Sequence, residues 1–291
     1  MRSSMADKAL GCDVSHWQGE INFEKMHDVG ASFVFLKASQ ATWTDRRFIE
    51  NYRAAKQAGL LVGMYHYLDW SVPSGQQARY FAGLIADYPP DIEPVIDYEE
   101  RRNAPNRLAA ISALNAFIQT VEDLIGRLCV IYTSPGYWRE YGDTSDRWKK
   151  YPLWVAHYGV TRPTVPVPWT DWLFWQYTDK GDGALYGVES KQIDLNWFNG
   201  TVEQLQQRYQ SNSIVSPPPI MNPVRLRVVV PVLNIRQGPS TSSARIGDLR
   251  HGTQVIVESI KVENARRVWI KHSVGWSALV YDGSVFMQEI L

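Results

Sequence analysis

The chain has 291 residues, with 30 basic and 30 acidic side chains and 45% apolar residues, enough to bury one large core and one small one. Zero net charge supplies no global field for nucleic acid or an anionic membrane, and no apolar run approaches the ~20 residues of a membrane span. Two cysteines cannot form a disulfide framework, and six histidines (16, 27, 66, 157, 251, 272) include no His-Glu-x-x-His pair, so neither a metal nor another cofactor is expected.

The N-terminus, Met1-Arg-Ser-Ser-Met-Ala-Asp-Lys, carries positive charge without an apolar core, and no secretory signal is read there. Apolar runs then recur at Ala9–Val14, Phe33–Ala38, Leu60–Leu68, Pro94–Glu99, Leu128–Tyr132, Leu153–Tyr158, Trp172–Tyr177 and Ile193–Trp197. They are near-continuous rather than alternating, as strands covered on both faces should be. Helical segments are predicted over Asp45–Ala58, Gly75–Ala86, Pro105–Ile125 and Val202–Tyr209, two of them stopped by Gly59 and Gly126. This alternation predicts an α/β domain over residues 1–210, a (β/α)8-type barrel or a close variant. A doubly wound open sheet would call for a glycine-rich phosphate loop after the first strand, and Cys12-Asp-Val-Ser-His-Trp-Gln-Gly19 is not one. Cys12 and Cys129 alternate with the inward-facing Asp13 and Tyr132, which predicts buried free thiols facing helices and synthesis in a reducing compartment.

Residues 211–223 contain Pro-Pro-Pro and read as a semi-rigid linker. Beyond it, residues 224–291 carry nine Lys/Arg against five Asp/Glu, in short strands (Arg225–Val230, Leu233–Arg236, Gln254–Ile260, Val268–His272, Gly275–Leu279) parted by turn residues. A small all-β module with a basic tilt is predicted there.

The chemistry is concentrated in Pro94-Val-Ile-Asp-Tyr-Glu99. On a strand, Asp97 and Glu99 share one face and Tyr98 turns away. Paired carboxylates suit glycosidic-bond hydrolysis, in which one donates a proton and the other stabilises or attacks the anomeric centre. An isolated Asp-x-Glu is more often a solvated pair of charges. Active residues of such barrels lie at the C-terminal strand ends. Those ends read Asp13, Lys37, Tyr65, Tyr67, Asp97, Glu99, Tyr132, Trp154, Tyr158, Gln176 and Asp194. Four acids on three strand ends within an aromatic ring favour a site, because crowded carboxylates raise one another's pKa and keep one protonated. His66 and His157 read as structural hydrogen-bonders near that mouth. Ten of the twelve tryptophans precede residue 200, as core or as platforms for sugar faces.

Gly11-Cys-Asp-Val-Ser-His-Trp-Gln-Gly, Val62-Gly-Met-Tyr-His-Tyr, Val95-Ile-Asp-Tyr-Glu, Leu153-Trp-Val-Ala-His-Tyr, Phe174-Trp-Gln-Tyr-Thr and Ile193-Asp-Leu-Asn-Trp-Phe lie in order. Across residues 9–205 the chain resembles glycoside hydrolase family 25, the Chalaropsis-type lysozymes. The resemblance implies cleavage of the β-1,4 bond between N-acetylmuramic acid and N-acetylglucosamine in bacterial peptidoglycan. It implies Glu99 as general acid, Asp97 as second catalytic carboxylate, and Asp13 and Asp194 as further acids of the groove. Tyr65, Tyr132 and Gln176 match substrate contacts. Tyr67, Trp154, Tyr158 and Lys37 join them as binding candidates from their strand ends. One departure is Lys37-Ala-Ser-Gln40-Ala, where many members read Lys-Ala-Thr-Glu-Gly; it touches the groove edge.

For the step itself, a nucleophilic Asp97, a water-mediated inversion, and attack by the substrate's own N-acetyl oxygen with Asp97 orienting the amide all stand open, the last being favoured. The segment Leu233-Asn-Ile-Arg-Gln-Gly-Pro-Ser, with Gly275-Trp-Ser, is similar to bacterial SH3-type domains that bind cell walls. Trp269, Trp276 and Tyr281 are its binding candidates, at least one of them filling the core. A monomer made in the host cytoplasm, in the manner of a phage endolysin, and acting on the wall without nucleic acid or membrane partners is the overall expectation. A non-catalytic glycan-binding protein, a chitinase- or glucosaminidase-type glycosidase and a zinc amidase are the competing readings.

Overall fold

A computed structural model describes residues 8–209, 225–257, 259–264 and 267–290, so the linker predicted at 211–223 lies outside the described residues. The chain divides into two compact units, residues 1–214 and 215–291.

In the first unit, strands β1 (Leu10–Val14), β2 (Ala31–Gln40), β4 (Leu61–Tyr67), β5 (Val95–Asp97), β6 (Val130–Thr133), β7 (Leu153–Ala156), β8 (Phe174–Asp182) and β9 (Gln192–Phe198) close into an eight-stranded barrel, with β3 (Trp43–Thr44) hairpinned onto β2. Apart from β3, the strands from β1 to β8 run parallel around the ring. Strand β9 is antiparallel to both β8 and β1. The expected α/β barrel is therefore present as a variant, and only the regular (β/α)8 alternation is corrected. Helices α1 (Phe23–Asp28), α2 (Phe48–Gln57), α3 (Ser74–Asp87), α4 (Arg107–Ile125) and α5 (Pro135–Tyr141) follow the earlier strands. Among the described residues no helix lies between β7 and β9, and α6 (Val202–Tyr209) comes after the last strand of the barrel. The physical reason for the misreading is that a strand buried on both faces carries the same apolar run whichever way it points. Helices α1 and α5, six and seven residues long, are too short to show a period.

Two apolar layers explain the near-continuous runs. Alternate residues Phe33, Phe35, Val95, Val130, Trp154, Phe174 and Phe198 fill the barrel. Val34, Leu36, Val62, Met64, Ile96 and Ile131 face outward and pack with Phe48, Phe81, Leu114 and Phe117 of the helices. Cys12 and Cys129 belong to that outer layer and are buried, free thiols. Inside, Phe35 stacks on Trp154 with ring centroids 4.1 Å apart. The large rings fit because Gly11 and Gly63 face them: a Cβ at either position would overlap the ring of Phe33 or Phe35.

Helix α4 begins with Asn106 accepting from the Ala109 N–H and ends at Gly126, whose φ is 70°. Its 19 residues and mean hydropathy of 1.3 would suffice to cross a membrane by length and composition alone. Yet Ala110, Leu114, Phe117, Ile118 and Val121 recur at helical spacing and are buried in the outer layer, as on the core-facing stripe of a globular helix.

The second unit is all-β, from β10 (Arg225–Val228), β11 (Val232–Arg236), β12 (Arg245–Arg250), β13 (Gln254–Ile256), β14 (Ser259–Asn264), β15 (Arg267–His272), β16 (Gly275–Tyr281) and β17 (Ser284–Val285) to β18 (Met287–Ile290). One sheet has the order β13-β10-β18 and the other β12-β11-β16-β15-β14, with β17 on β16. Leu226, Val228, Leu233, Ile235, Leu249, Val257, Ile270 and Met287 form its core. Strand β12 escapes the sequence reading because Arg245-Ile-Gly-Asp-Leu-Arg250 is largely exposed and mixes a glycine with charges. Trp269 is buried, whereas Trp276 and Tyr281 remain partly accessible.

Candidate active site

A pocket of about 240 Å³ opens at the barrel mouth and is lined by Asp13, Asp97, Glu99, Asp194, Lys37, Tyr65, Tyr67, Tyr132, Trp154 and Gln176. These are ten of the eleven residues singled out from the sequence. The eleventh, Tyr158, is 42% exposed and reaches the site through its hydroxyl, which donates to Gln176 Oε1 at 2.5 Å. Two placements differ in cause from what the strand-end reading assumed. Strand β5 ends at Asp97, so Glu99 lies just beyond it, while Tyr98 turns outward and donates to the Tyr141 carbonyl at 3.0 Å. Asp194 is the third residue of β9, not near its end; it reaches the mouth because that strand is reversed, pairing Asp194 directly with Asp13.

Like charges directly opposite each other on neighbouring strands are unfavourable, and a shared proton relieves them. Burial and then the Asp13 charge push Asp194 up to about 9, so Asp194 keeps its proton in the neutral range and hydrogen-bonds to Asp13. Burial also raises Asp13, against which Asn196 Nδ2 and Gln176 Nε2 each donate to its Oδ2 at 2.8 Å. Both amides are fixed from behind. Gln176 Oε1 accepts from Tyr132 (2.8 Å) as well as from Tyr158, and Asn196 Oδ1 accepts from Trp154 Nε1 at 2.8 Å. The Asp13 side of the pocket is thus held by a continuous set of hydrogen bonds.

The other acids are held differently. Asp97 is buried, and its Oδ1 has no hydrogen-bond partner among the described residues. Burial, and next the neighbouring Glu99, hold its pKa well above the usual carboxylate range, while Lys37 draws it down. Burial followed by the Asp13 charge raises Glu99 to about 7. Lys37 is the one basic residue among those lining the pocket. Its Nζ lies 4.8 Å from the centre of the Tyr67 ring and 5.5 Å from that of Trp43, within cation–π range.

Reading strand ends misses Trp17. It sits in a 3-10 turn, His16–Gln18, whose start is fixed by a capping box between Ser15 and Gln18. Trp17 is 74% exposed and lines the pocket, with His16 beside it held by Asp45 at 2.5 Å. A tryptophan in a polar turn directly after a strand-end acid was the available signal. His66 is fully buried and lowered to about 4, chiefly by desolvation, so it stays neutral. Among the described residues, no His, Cys, Asp and Glu side chains group as a metal site requires.

Comparison with known proteins places this geometry. The model of glycosyl hydrolases family 25 matches residues 12–184. Lysozyme M1 of Streptomyces globisporus is 36% identical over 206 residues, 67% of this chain and 69% of its own. The chain belongs to family 25. This glycoside hydrolase is also 26% identical over 212 residues to the N,O-diacetylmuramidase of Chalaropsis sp, 68% of this chain and 97% of that protein. Its barrel is similar to the crystal structure of the bacterial lysozyme from Streptomyces coelicolor, with a TM-score of 0.62, 32% identity and coverage of 70% of this chain and 97% of that one.

Proposed function

We propose that this family 25 enzyme hydrolyses bacterial peptidoglycan at the β-1,4 bond between N-acetylmuramic acid and N-acetylglucosamine, with Glu99 as the proton donor. The observation that carries the reading is the contrast at Asp97 and Glu99. A carboxyl raised to about 7 still holds a proton near neutral pH, and beside it stands a buried carboxylate oxygen with no partner among the described residues. The first can protonate the leaving glycosidic oxygen. The second belongs to a residue that lines the pocket and is read as accepting a hydrogen bond from a substrate N–H, since an unpartnered buried acceptor costs about 1–3 kcal/mol until it is satisfied.

An N-acetyl amide supplies that N–H. With its N–H held by Asp97, the amide oxygen attacks the anomeric carbon as the C–O bond to the leaving sugar breaks and Glu99 delivers its proton. Water then opens the cyclic intermediate, giving its proton back to Glu99. Two displacements retain the anomeric configuration, so NMR detection of inverted product at early times would sink this step while leaving hydrolysis intact. Asp13 and Asp194 shape the pocket floor, and Tyr65, Tyr67, Tyr132, Trp154, Tyr158, Gln176 and Lys37 hold the sugars.

Mass spectrometry of fragments released from purified walls tests the bond assignment, because muramidase, glucosaminidase and amidase products carry different ends. Clearing of a wall suspension by wild type but not by Glu99→Gln separates an enzyme from a non-catalytic glycan binder.

The second unit is read as an SH3-type wall-binding module of a monomeric enzyme. The excess of Lys/Arg over Asp/Glu beyond residue 224 and the accessible Trp276 and Tyr281 support that reading. Wall co-sedimentation of the full chain, weakened by Trp276→Ala and unchanged in fragment release from soluble glycans, is the expected result. Synthesis in a reducing compartment before action on the wall, as for an endolysin, is supported by the two buried unpaired thiols.

A further inference from the structure

Position 40, where the sequence departs from Lys-Ala-Thr-Glu-Gly, does more than border the groove. Lys37 Nζ donates to Gln40 Oε1 at 2.8 Å, and Gln40 Nε2 donates to Asp69 Oδ2 at 2.9 Å. Asp69 is itself fixed. Its Oδ1 accepts from the Ser71 N–H at 2.9 Å and the Ser71 hydroxyl at 2.6 Å. Its backbone N–H donates to Gln77 Oε1 at 3.0 Å, and its carbonyl accepts from Gln77 Nε2 at 2.6 Å. Gln77 and His66 are fully buried, and His66 Nε2 lies 2.9 Å from the same Gln77 Oε1. That oxygen only accepts, so Nε2 carries the proton and Nδ1 accepts from Ser39 Oγ at 2.8 Å. The loop after β4 is therefore anchored from below, and the Gln40 amide is the neutral link between it and Lys37.

We propose that Gln40 is a positioning residue that ties Lys37 to the anchored Asp69 while leaving the ammonium charge to Asp97. The inference rests on the reading of Asp97 as the carboxylate of a catalytic pair that shares one proton with Glu99, both acids being raised. Lys37 is lowered by burial, with Asp97 the foremost of the acids opposing that, followed by Asp45, Glu99 and Asp69. From its own side, Asp97 faces Glu99, Lys37, Asp13 and Glu100. Lys37 is thus a cation among acids, and whatever neutralises it bears on Asp97 first and on Glu99 less, since Lys37 ranks last among the groups acting on Glu99.

A carboxylate at position 40 would pair with Lys37 and add negative charge, making Asp97 harder to ionise. Because the ionised form works, the acid limb of kcat/KM moves to higher pH.

The test uses Gln40→Glu and the double variant Gln40→Glu/Asp69→Asn in the full chain. The double variant moves one carboxylate from position 69 to position 40 at constant net charge. It also keeps every hydrogen bond of the link, because the amide introduced at position 69 donates to the carboxylate introduced at position 40, and its oxygen still accepts from Ser71. The expected result is an acid limb raised by about one pH unit in both variants, a tenfold rate loss on that limb, with a smaller rise of the basic limb. The double variant should recover the wild-type melting temperature but not the wild-type pH profile. A pH-independent loss in Gln40→Glu, or a wild-type profile in the double variant, overturns the role. Wild type that releases no muramidase fragments would instead overturn the functional reading itself.

Discussion

The two pairs of acids that share the pocket are built on opposite terms. Asp13 and Asp194 face each other across β1 and β9, hold one proton between them, and meet two amides that are themselves locked by Tyr132, Tyr158 and Trp154. Asp97 and Glu99 lie at the end of a three-residue strand, with one oxygen unpartnered among the described residues and one nearby cation. In each pair one acid is buried and its neighbour half-buried, and all four are raised by desolvation. The difference lies in satisfaction. A saturated pair resists change and serves as scaffold and charge source, whereas an unsatisfied pair holds free energy that substrate binding can release.

Substitutions can break this contrast. The largest effect is expected for Glu99→Gln, a loss of about 10²–10⁴-fold in fragment release, since an amide is far too weak an acid to protonate the leaving oxygen. Next comes Asp97→Asn, with a loss of about 10²-fold in kcat and a melting temperature equal to or above wild type, because a buried charge is removed. A fall in melting temperature there would mean that Asp97 has partners in the scaffold after all.

Smaller changes sharpen it. Asp13 is the foremost charge raising Glu99, after burial. Asp13→Asn should therefore lower the Glu99 pKa and move the basic limb of kcat/KM downward by up to about one pH unit. An unmoved limb would sever the two pairs electrostatically. The smallest effect is expected for Asp194→Asn, about threefold or less in kcat near neutral pH, because an amide mimics a carboxyl already protonated there and still donates to Asp13. In wild type, activity should decline as the pH rises past about 7, where Glu99 loses its proton. A titration of initial rates checks that limb.

Much of the site was legible because it lies at strand ends, where short polar interruptions follow apolar runs. Tyr65, Asp97 and Tyr132 are found this way, whereas Lys37 and Gln176 lie inside strands that run on to Gln40 and Asp182. Asp194 is found for the wrong reason, since the apolar run around it carries no sign of direction; its place depends on pairing with β1 and β8, which is a long-range property. Trp17 and the Gln40–Asp69 link escape for a related cause. A 3-10 turn and a side-chain relay between residues 29 apart leave no periodic trace. In the second unit, accessible and core tryptophans are indistinguishable until the sheets are formed.

The two barrel glycines bear on how this enzyme tolerates change. Gly11 and Gly63 lie two residues before Asp13 and Tyr65 on the same inward faces, and their missing side chains are the space occupied by Phe33 and Phe35. An alanine at either position would displace a ring and shift a strand that ends in the pocket. Libraries built for heat resistance should therefore leave the barrel interior untouched and draw on the helix-facing layer, where repacking is insulated from the chemistry by the strands themselves.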